Sequence, residues 1–180
     1  MNISGRFLAI LTLGLALVLP AQAFADVGIQ LRVPYQASAN DTKVGSAMGS
    51  GILISFDLDA NTSVGLLSEQ VSFTEKPAAA GAVDVNSTYM VNAIRLSKFV
   101  NELYYAAVDL GSGTNAVAQA PLADIVFGTH ITGTKGGKMT SFFAGELMYR
   151  MFNPGKTMVA GGSATNYGGV VLAISAGLSF

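Results

Sequence analysis

The C-terminal stretch constrains this chain more than any other part of it. From Val170 to Phe180 every second residue is apolar: Val170, Leu172, Ile174, Ala176, Leu178 and Phe180. Between them stand Val171, Ala173, Ser175, Gly177 and Ser179, of which only Val171 is bulky. A repeat of two puts one set of side chains on each face of an extended strand, so the segment reads as a strand with one greasy face and one small or polar face. Such a strand must belong to a sheet, and the rest of the chain has to supply it.

The N-terminus adds a location. Arg6 precedes an apolar run from Phe7 to Leu19, and Pro20 leads to the small-x-small sites Ala21-Gln22-Ala23 and Ala23-Phe24-Ala25. That is the pattern of a secretory signal peptide, too short for a spanning helix. Residues 1–25 are therefore expected to be a signal peptide, and residues 26–180 a single mature domain of 155 residues.

After Ala25 no apolar run approaches the ~20 residues that a membrane-spanning helix requires. Yet 51% of the whole chain is hydrophobic. Two readings fit: a secreted β-protein with a greasy core, or a barrel whose greasy face meets lipid. The mature chain carries nine basic and eleven acidic residues, net −2, which offers nothing to a nucleic acid. Without cysteine there is neither a disulfide frame nor a thiolate metal site, so the sheet must close through hydrogen bonds, as a barrel does.

Seven more segments can be read as strands. Val27–Tyr35 splits cleanly, with Val27, Ile29, Leu31, Val33 and Tyr35 against Gly28, Gln30, Arg32 and Pro34. Ser50–Asp59 follows, then Val64–Thr74, where the adjacent Leu66 and Leu67 suggest a bulge near Ser68. Ser87–Phe99 alternates less clearly and also carries a helical stripe; as a strand it turns Asn92 outward among apolar residues. Tyr104–Gly111, Leu122–Thr134 and Thr140–Phe152 complete the set. Pro77–Asn86 and Ser112–Pro121 read as loops, and Lys135-Gly136-Gly137-Lys138 as a tight turn. Connections after the even strands are short and those after the odd strands longer, on the order of ten residues, which is the layout of outer-membrane barrels. The expected fold is all-β, an eight-stranded antiparallel up-and-down transmembrane β-barrel.

The faces opposite the apolar ones carry the charges. Arg32, Asp57, Glu69, Arg95, Asp109, Asp124, His130, Glu146 and Arg150 are the candidates for an ion-paired lumen. An eight-stranded barrel is just wide enough for side chains to fill, and buried charges persist there only as pairs or with water. Tyr35, Tyr149 and Phe152 are expected in an aromatic girdle at the loop rim, and Tyr104 and Phe180 at the turn rim.

The signal peptide, the alternating segments and the ending Ala176-Gly177-Leu178-Ser179-Phe180 together resemble the small eight-stranded outer-membrane barrels of the OmpA, OmpX and OmpW type. The resemblance implies insertion in the outer membrane of a Gram-negative bacterium, with outer-membrane lipid and lipopolysaccharide as surroundings. It also implies that Phe180 serves as a signal to the barrel-insertion machinery. Members of that class act as adhesins, envelope stabilisers, narrow pores or lipid-modifying enzymes. The expected role is non-enzymatic, structural or surface-interacting, with a narrow pore for ions or small apolar solutes as the alternative and a lipid A-modifying enzyme third.

The enzyme option rests on His130, Thr132 and Glu146, which resemble the His/Ser/Glu set of barrel enzymes that deacylate lipid A. Thr replaces Ser, the set points inward by parity, and it lies by the short-turn rim. Catalytic residues, cofactors and metals are therefore not expected. Lys43, Lys76 and Lys156, in or beside the long connections, read as solvated lysines ahead of phosphate ligands.

Overall fold

The computed structural model describes residues 26–77, 83–136 and 139–180. Eight strands follow one another along them. They are β1 (Val27–Gln36), β2 (Val44–Asp59), β3 (Thr62–Glu75), β4 (Val85–Phe99), β5 (Tyr104–Thr114), β6 (Gln119–Gly136), β7 (Met139–Phe152) and β8 (Gly169–Ser179). Each pairs antiparallel with the next. β8 returns to β1 in register from Gly28 opposite Ser179 to Tyr35 opposite Leu172, so the sheet closes on itself. The fold is thus a closed eight-stranded antiparallel barrel, and not two packed sheets. The signal peptide expected over residues 1–25 lies outside the described residues, as do the middle of the Pro77–Asn86 loop and the turn residues Gly137 and Lys138.

The outer face of the barrel wall is largely apolar, and the inner face carries charged side chains beside its buried apolar ones. Along β1, Gln30, Arg32 and Gln36 are buried while Ile29, Leu31, Val33 and Tyr35 are exposed. Along β8, Val171 and Ala173 face in, and Ile174 stands 69% exposed. Strand alternation makes this sorting automatic once the register is set, because a slip of one residue would exchange the two faces. Small inward residues make room for large ones: Gly128 leaves space for the Tyr105 ring and Gly113 for the Phe152 ring. Pro34 sits on the inner face of β1, where the β1–β2 pairing lapses at Val33 and Pro34 with the register unchanged on either side, while the β8 side continues. Having no N–H, proline can keep only part of a ladder.

Several expectations need correction. No bulge occurs at Ser68: β3 pairs without interruption through Ser68 opposite Ile52 on one side and Asn92 on the other. Leu66 and Leu67 simply take opposite faces, and Glu69 points inward in phase with the buried Leu67 and Val71. Register shifts fall instead between Val44 and Ala47, between Asp57 and Asp59, and between Thr132 and Lys135. By contrast, the strand expected over Ser87–Phe99 does form, within β4, and Asn92 turns outward as its alternation required. Phe152 belongs to no girdle; it is 1% exposed and packs inside beside Gly113. The loop expected over Ser112–Pro121 shrinks to residues 115–118. There the Asn115 side-chain oxygen Oδ1 accepts from the N–H groups of Val117 and Ala118, both at 2.9 Å, and folds a tight turn.

Candidate functional site

The register places charge beside charge. Arg95 lies opposite Asp109, Asp109 opposite Asp124, and Asp124 opposite Arg150, across the β4–β5, β5–β6 and β6–β7 ladders. Arg95 forks onto Asp109, with Nε to Oδ1 at 2.6 Å and Nη2 to Oδ2 at 2.7 Å. Arg150 forks onto Asp124, with Nε to Oδ1 at 3.1 Å and Nη2 to Oδ2 at 2.8 Å. Bidentate geometry of this kind is the strong form of the guanidinium–carboxylate bond.

The other links cross the lumen. Arg150 Nη2 also reaches Glu69 Oε2 at 2.9 Å, and Arg32 Nη1 stands 3.2 Å from Glu69 Oε1. Glu146 receives Arg32 on one oxygen and Arg95 on the other, and the Tyr105 hydroxyl donates to Oε1 at 2.5 Å. The pairs run as one chain, Asp109–Arg95–Glu146–Arg32–Glu69–Arg150–Asp124, whose two ends are neighbours on β5 and β6. Three guanidiniums hold four carboxylates, each cation bridging two of them. All seven residues are buried. Isolated charges at this depth would cost several kcal/mol each, and the unbroken run of partners offsets part of that cost.

Two residues from the same sequence set stand apart. Asp57 is half-buried near the turn rim and makes no ion pair among the described residues; its neighbours there are Asp26 and Asp59. His130 is not ion-paired either. Its ring packs against Phe142 at 4.7 Å and edge-on to Phe99 at 5.8 Å between centroids. Glu146 is two residues too far along β7 to meet it, since His130 pairs with Ala144. Both Glu146 oxygens are occupied by arginines, so His130, Thr132 and Glu146 do not assemble as a nucleophile, base and orienter.

On the loop side of the ion chain, residues 153–168 fold down into the mouth. Met158, Val159, Ala164 and Tyr167 are buried against Phe73, Tyr89 and Phe152. The Tyr167 ring meets Phe73 edge-on at 5.2 Å and Phe152 at 6.1 Å. Glu75, fully buried, pins this cap. It accepts from the N–H groups of Ser163 at 2.8 Å and Ala164 at 3.0 Å, from the Thr157 hydroxyl at 3.0 Å, and from the Tyr167 hydroxyl. Burial and the bond to Glu75 push the Tyr167 hydroxyl up to about 12.

A second tie joins the cap to residues 37–43. The Thr165 N–H donates to Asp41 Oδ2 at 3.0 Å, and the Asn40 N–H to the Gly168 carbonyl at 2.7 Å. Desolvation acts to raise the Asp41 carboxyl. The N–H groups of Thr165 and Lys43 and the Lys43 charge outweigh it and hold that carboxyl below its ordinary value.

On the turn side the ion chain floors a cavity of about 340 Å³, reached by Arg95, Tyr105, His130 and Phe142 and rimmed by Asp26, Asp57 and Asp59. Glu75 and Tyr167 were not singled out from the sequence. Parity along β3 does put Glu75 on the same face as Glu69, but nothing local names its donors.

These features define a class: a closed, eight-stranded antiparallel barrel whose waist is filled by paired charges and whose long-loop mouth is capped by its own chain. No family model matches the sequence, and no curated protein matches it either.

Proposed function

We propose that this protein is an integral outer-membrane barrel of the small eight-stranded type, non-enzymatic, with an envelope-structural or surface-interaction role. The observation that carries this reading is the inverted polarity of the wall. Arg32, Arg95 and Arg150 are buried inside while Leu31, Phe127, Phe143 and Ile174 are each more than half exposed outside. In water that arrangement leaves an apolar belt around the whole molecule, far beyond the few hundred Å² that monomeric soluble proteins tolerate. In a bilayer the same belt is solvated by acyl chains, and the closed sheet leaves no unpaired edge in hydrocarbon.

The ion chain and the cap support a plugged barrel over a pore. With the waist filled and the mouth covered, the described parts left for recognition are residues 37–43 and the outer surface of the cap. Phe180 fits the role of an insertion signal. Its N–H and carbonyl pair with Val27, which ties the last residue to the first strand at the closing seam.

Planar-bilayer recording tests the plugged lumen. No steady single-channel conductance is expected from the wild-type protein. Discrete openings that change when Glu146 or Arg150 is neutralised would overturn the plugged reading in favour of a narrow pore. Membrane fractionation tests the location, and a mature chain that remains monodisperse without detergent would overturn it.

A further inference from the structure

The end of the lumen beside the short turns, away from the cap, is built in two unlike halves around the cavity of about 340 Å³. One half is a polar row set by register. The Asp57 N–H donates to the Asp26 carbonyl at 3.1 Å, Asp57 stands opposite Ser63, and Ser63 stands opposite Ser97. These four residues, from the start of β1 across to β4, all line the cavity. The other half is aromatic. Phe99 packs on Tyr105 at 5.3 Å between centroids and edge-on to His130, which packs in turn on Phe142. Four rings from β4, β5, β6 and β7 thus line the same cavity.

The polar row is incomplete by itself. Ser63 and Ser97 are 6% and 5% exposed, and neither hydroxyl has a hydrogen-bond partner among the described residues. A buried hydroxyl without a partner forfeits a bond it would make in water, so the pair points to a group that enters from the cavity. The neighbouring Asp57 carboxylate also has no hydrogen bond or ion pair among the described residues, and the charges acting on it, Asp26 and Asp59, are of its own sign. Of the described cations nearby, Arg95 is held by Asp109 and Glu146, and Lys98 is exposed on the outer face, where it bonds to Thr62 Oγ1. Glu102 adds a further carboxylate at the rim.

We propose that this cavity binds a small organic ammonium ion with an apolar body. The cationic head donates to Asp57 and to the Ser63 and Ser97 hydroxyls, and the body lies against the rings of the facing half. Aromatic faces attract cations as well as apolar groups, so both halves favour the same molecule. The cavity has the volume of a small-molecule pocket. An anion would meet the carboxylates of the row and rim. A metal ion fits less well, because no three carboxylate or imidazole groups converge as metal ligands among the described residues, and a bare ion leaves the ring wall unused. The inference goes beyond the envelope role and stands on the closed wall and its register, not on the bilayer. Entry from the turn end leaves the ion chain and the cap in place.

The test titrates the protein, folded in non-ionic detergent micelles, with phenethylamine and follows backbone amide shifts. Phenethyl alcohol and phenylacetate serve as neutral and anionic probes of similar shape. Saturable shifts at Ser63, Ser97 and His130 are expected with the amine, much weaker ones with the alcohol, and none with phenylacetate. Asp57→Asn should weaken the amine about tenfold, the size of one charge-assisted hydrogen bond. Ser63→Ala combined with Ser97→Ala should weaken it severalfold, and this pair carries the test if Asp57→Asn loses the folded band in an unheated gel. Binding of phenylacetate as tight as that of the amine, or affinity unchanged in the folded variants, would overturn the inference. Shifts that do not saturate, or that fall only on outward residues such as Phe127 and Ile174, would show partition into the micelle and overturn it too. Calcium chloride that displaces the amine and reproduces its shifts would overturn it in favour of a metal site.

Discussion

Arg95 and Asp109 face each other directly across the β4–β5 ladder and meet through two parallel bonds, at 2.6 and 2.7 Å. Their adjacency is a matter of register alone: one residue of slip on either strand would send one of them out into the apolar belt. The same ladder logic pairs Asp124 with Arg150, and Glu146 and Glu69 then join the two forks across the lumen. Strand register and charge pairing therefore select the same alignment, which is the consistency expected of a sequence that specifies one fold.

Glu146 is the most consequential member of this chain. It alone takes Arg32, Arg95 and the Tyr105 hydroxyl together. Glu146→Ala leaves two guanidiniums short of a partner in a buried site, a change expected to cost about 3–5 kcal/mol. Urea unfolding in detergent micelles should show a lower midpoint, and Glu146→Gln, which keeps acceptor and shape, should lose less. An unchanged midpoint for the alanine variant would mean that the ion chain does not hold the waist.

The cap is expected to be separable from the wall. Tyr167→Phe removes the hydroxyl that donates to Glu75 and accepts from the Met158 N–H at 2.7 Å. It keeps the ring packing on Phe73 and Phe152. Loss of these buried bonds is expected to cost about 1–3 kcal/mol, read as faster amide exchange at Met158, Ser163 and Ala164. Exchange in β5–β7 should not change. Acceleration throughout the barrel would show that the cap and wall unfold as one unit.

Acid and alkali should loosen the same cap through different groups. The Asp41 carboxyl is held below its ordinary value of 3.8 when folded, so its contribution is complete above that pH and fades as the pH falls through the lower folded value. Tyr167 is raised from 10.0 to about 12, so its contribution is complete below pH 10 and fades as the pH rises toward 12. Proteolysis of residues 153–168 as a function of pH should show both limbs. Asp41→Asn should flatten the acid limb and Tyr167→Phe the alkaline one; a profile unaffected by either change would contradict these ties.

How much of this was legible in the sequence differs by element. β1 and β8 alternate without exception, so their faces could be read directly. β3 hid its phase because Leu67 is apolar yet inward: an eight-stranded lumen packs some grease beside its charges, and hydropathy alone does not separate the faces. The start of β2 before Ser50 is hard to read because Gly45, Ser46 and Gly49 carry little hydrophobic contrast, and its pairing with β3 there crosses a register shift between Val44 and Ala47. The cap lay beyond reach. Glu75 and Tyr167 are 92 residues apart, and no local pattern marks a carboxylate that will collect donors from a distant loop. Asp57 and His130 share the parity of the ion chain, but parity assigns a face and not a height along the lumen.

The central claim is that the outward set of side chains touches acyl chains. Spin labels placed one at a time along β8 of the reconstituted protein, from Val170 to Ala176, measure it residue by residue through accessibility to oxygen and to a water-soluble nickel chelate. The expected result is strict alternation, with high oxygen and low chelate contact at positions 170, 172 and 174, and low contact with both reagents at 171 and 173. High chelate contact at 172 and 174, or shielding of those two positions from both reagents, would mean that water or a second protein layer covers the belt, and the account would fail.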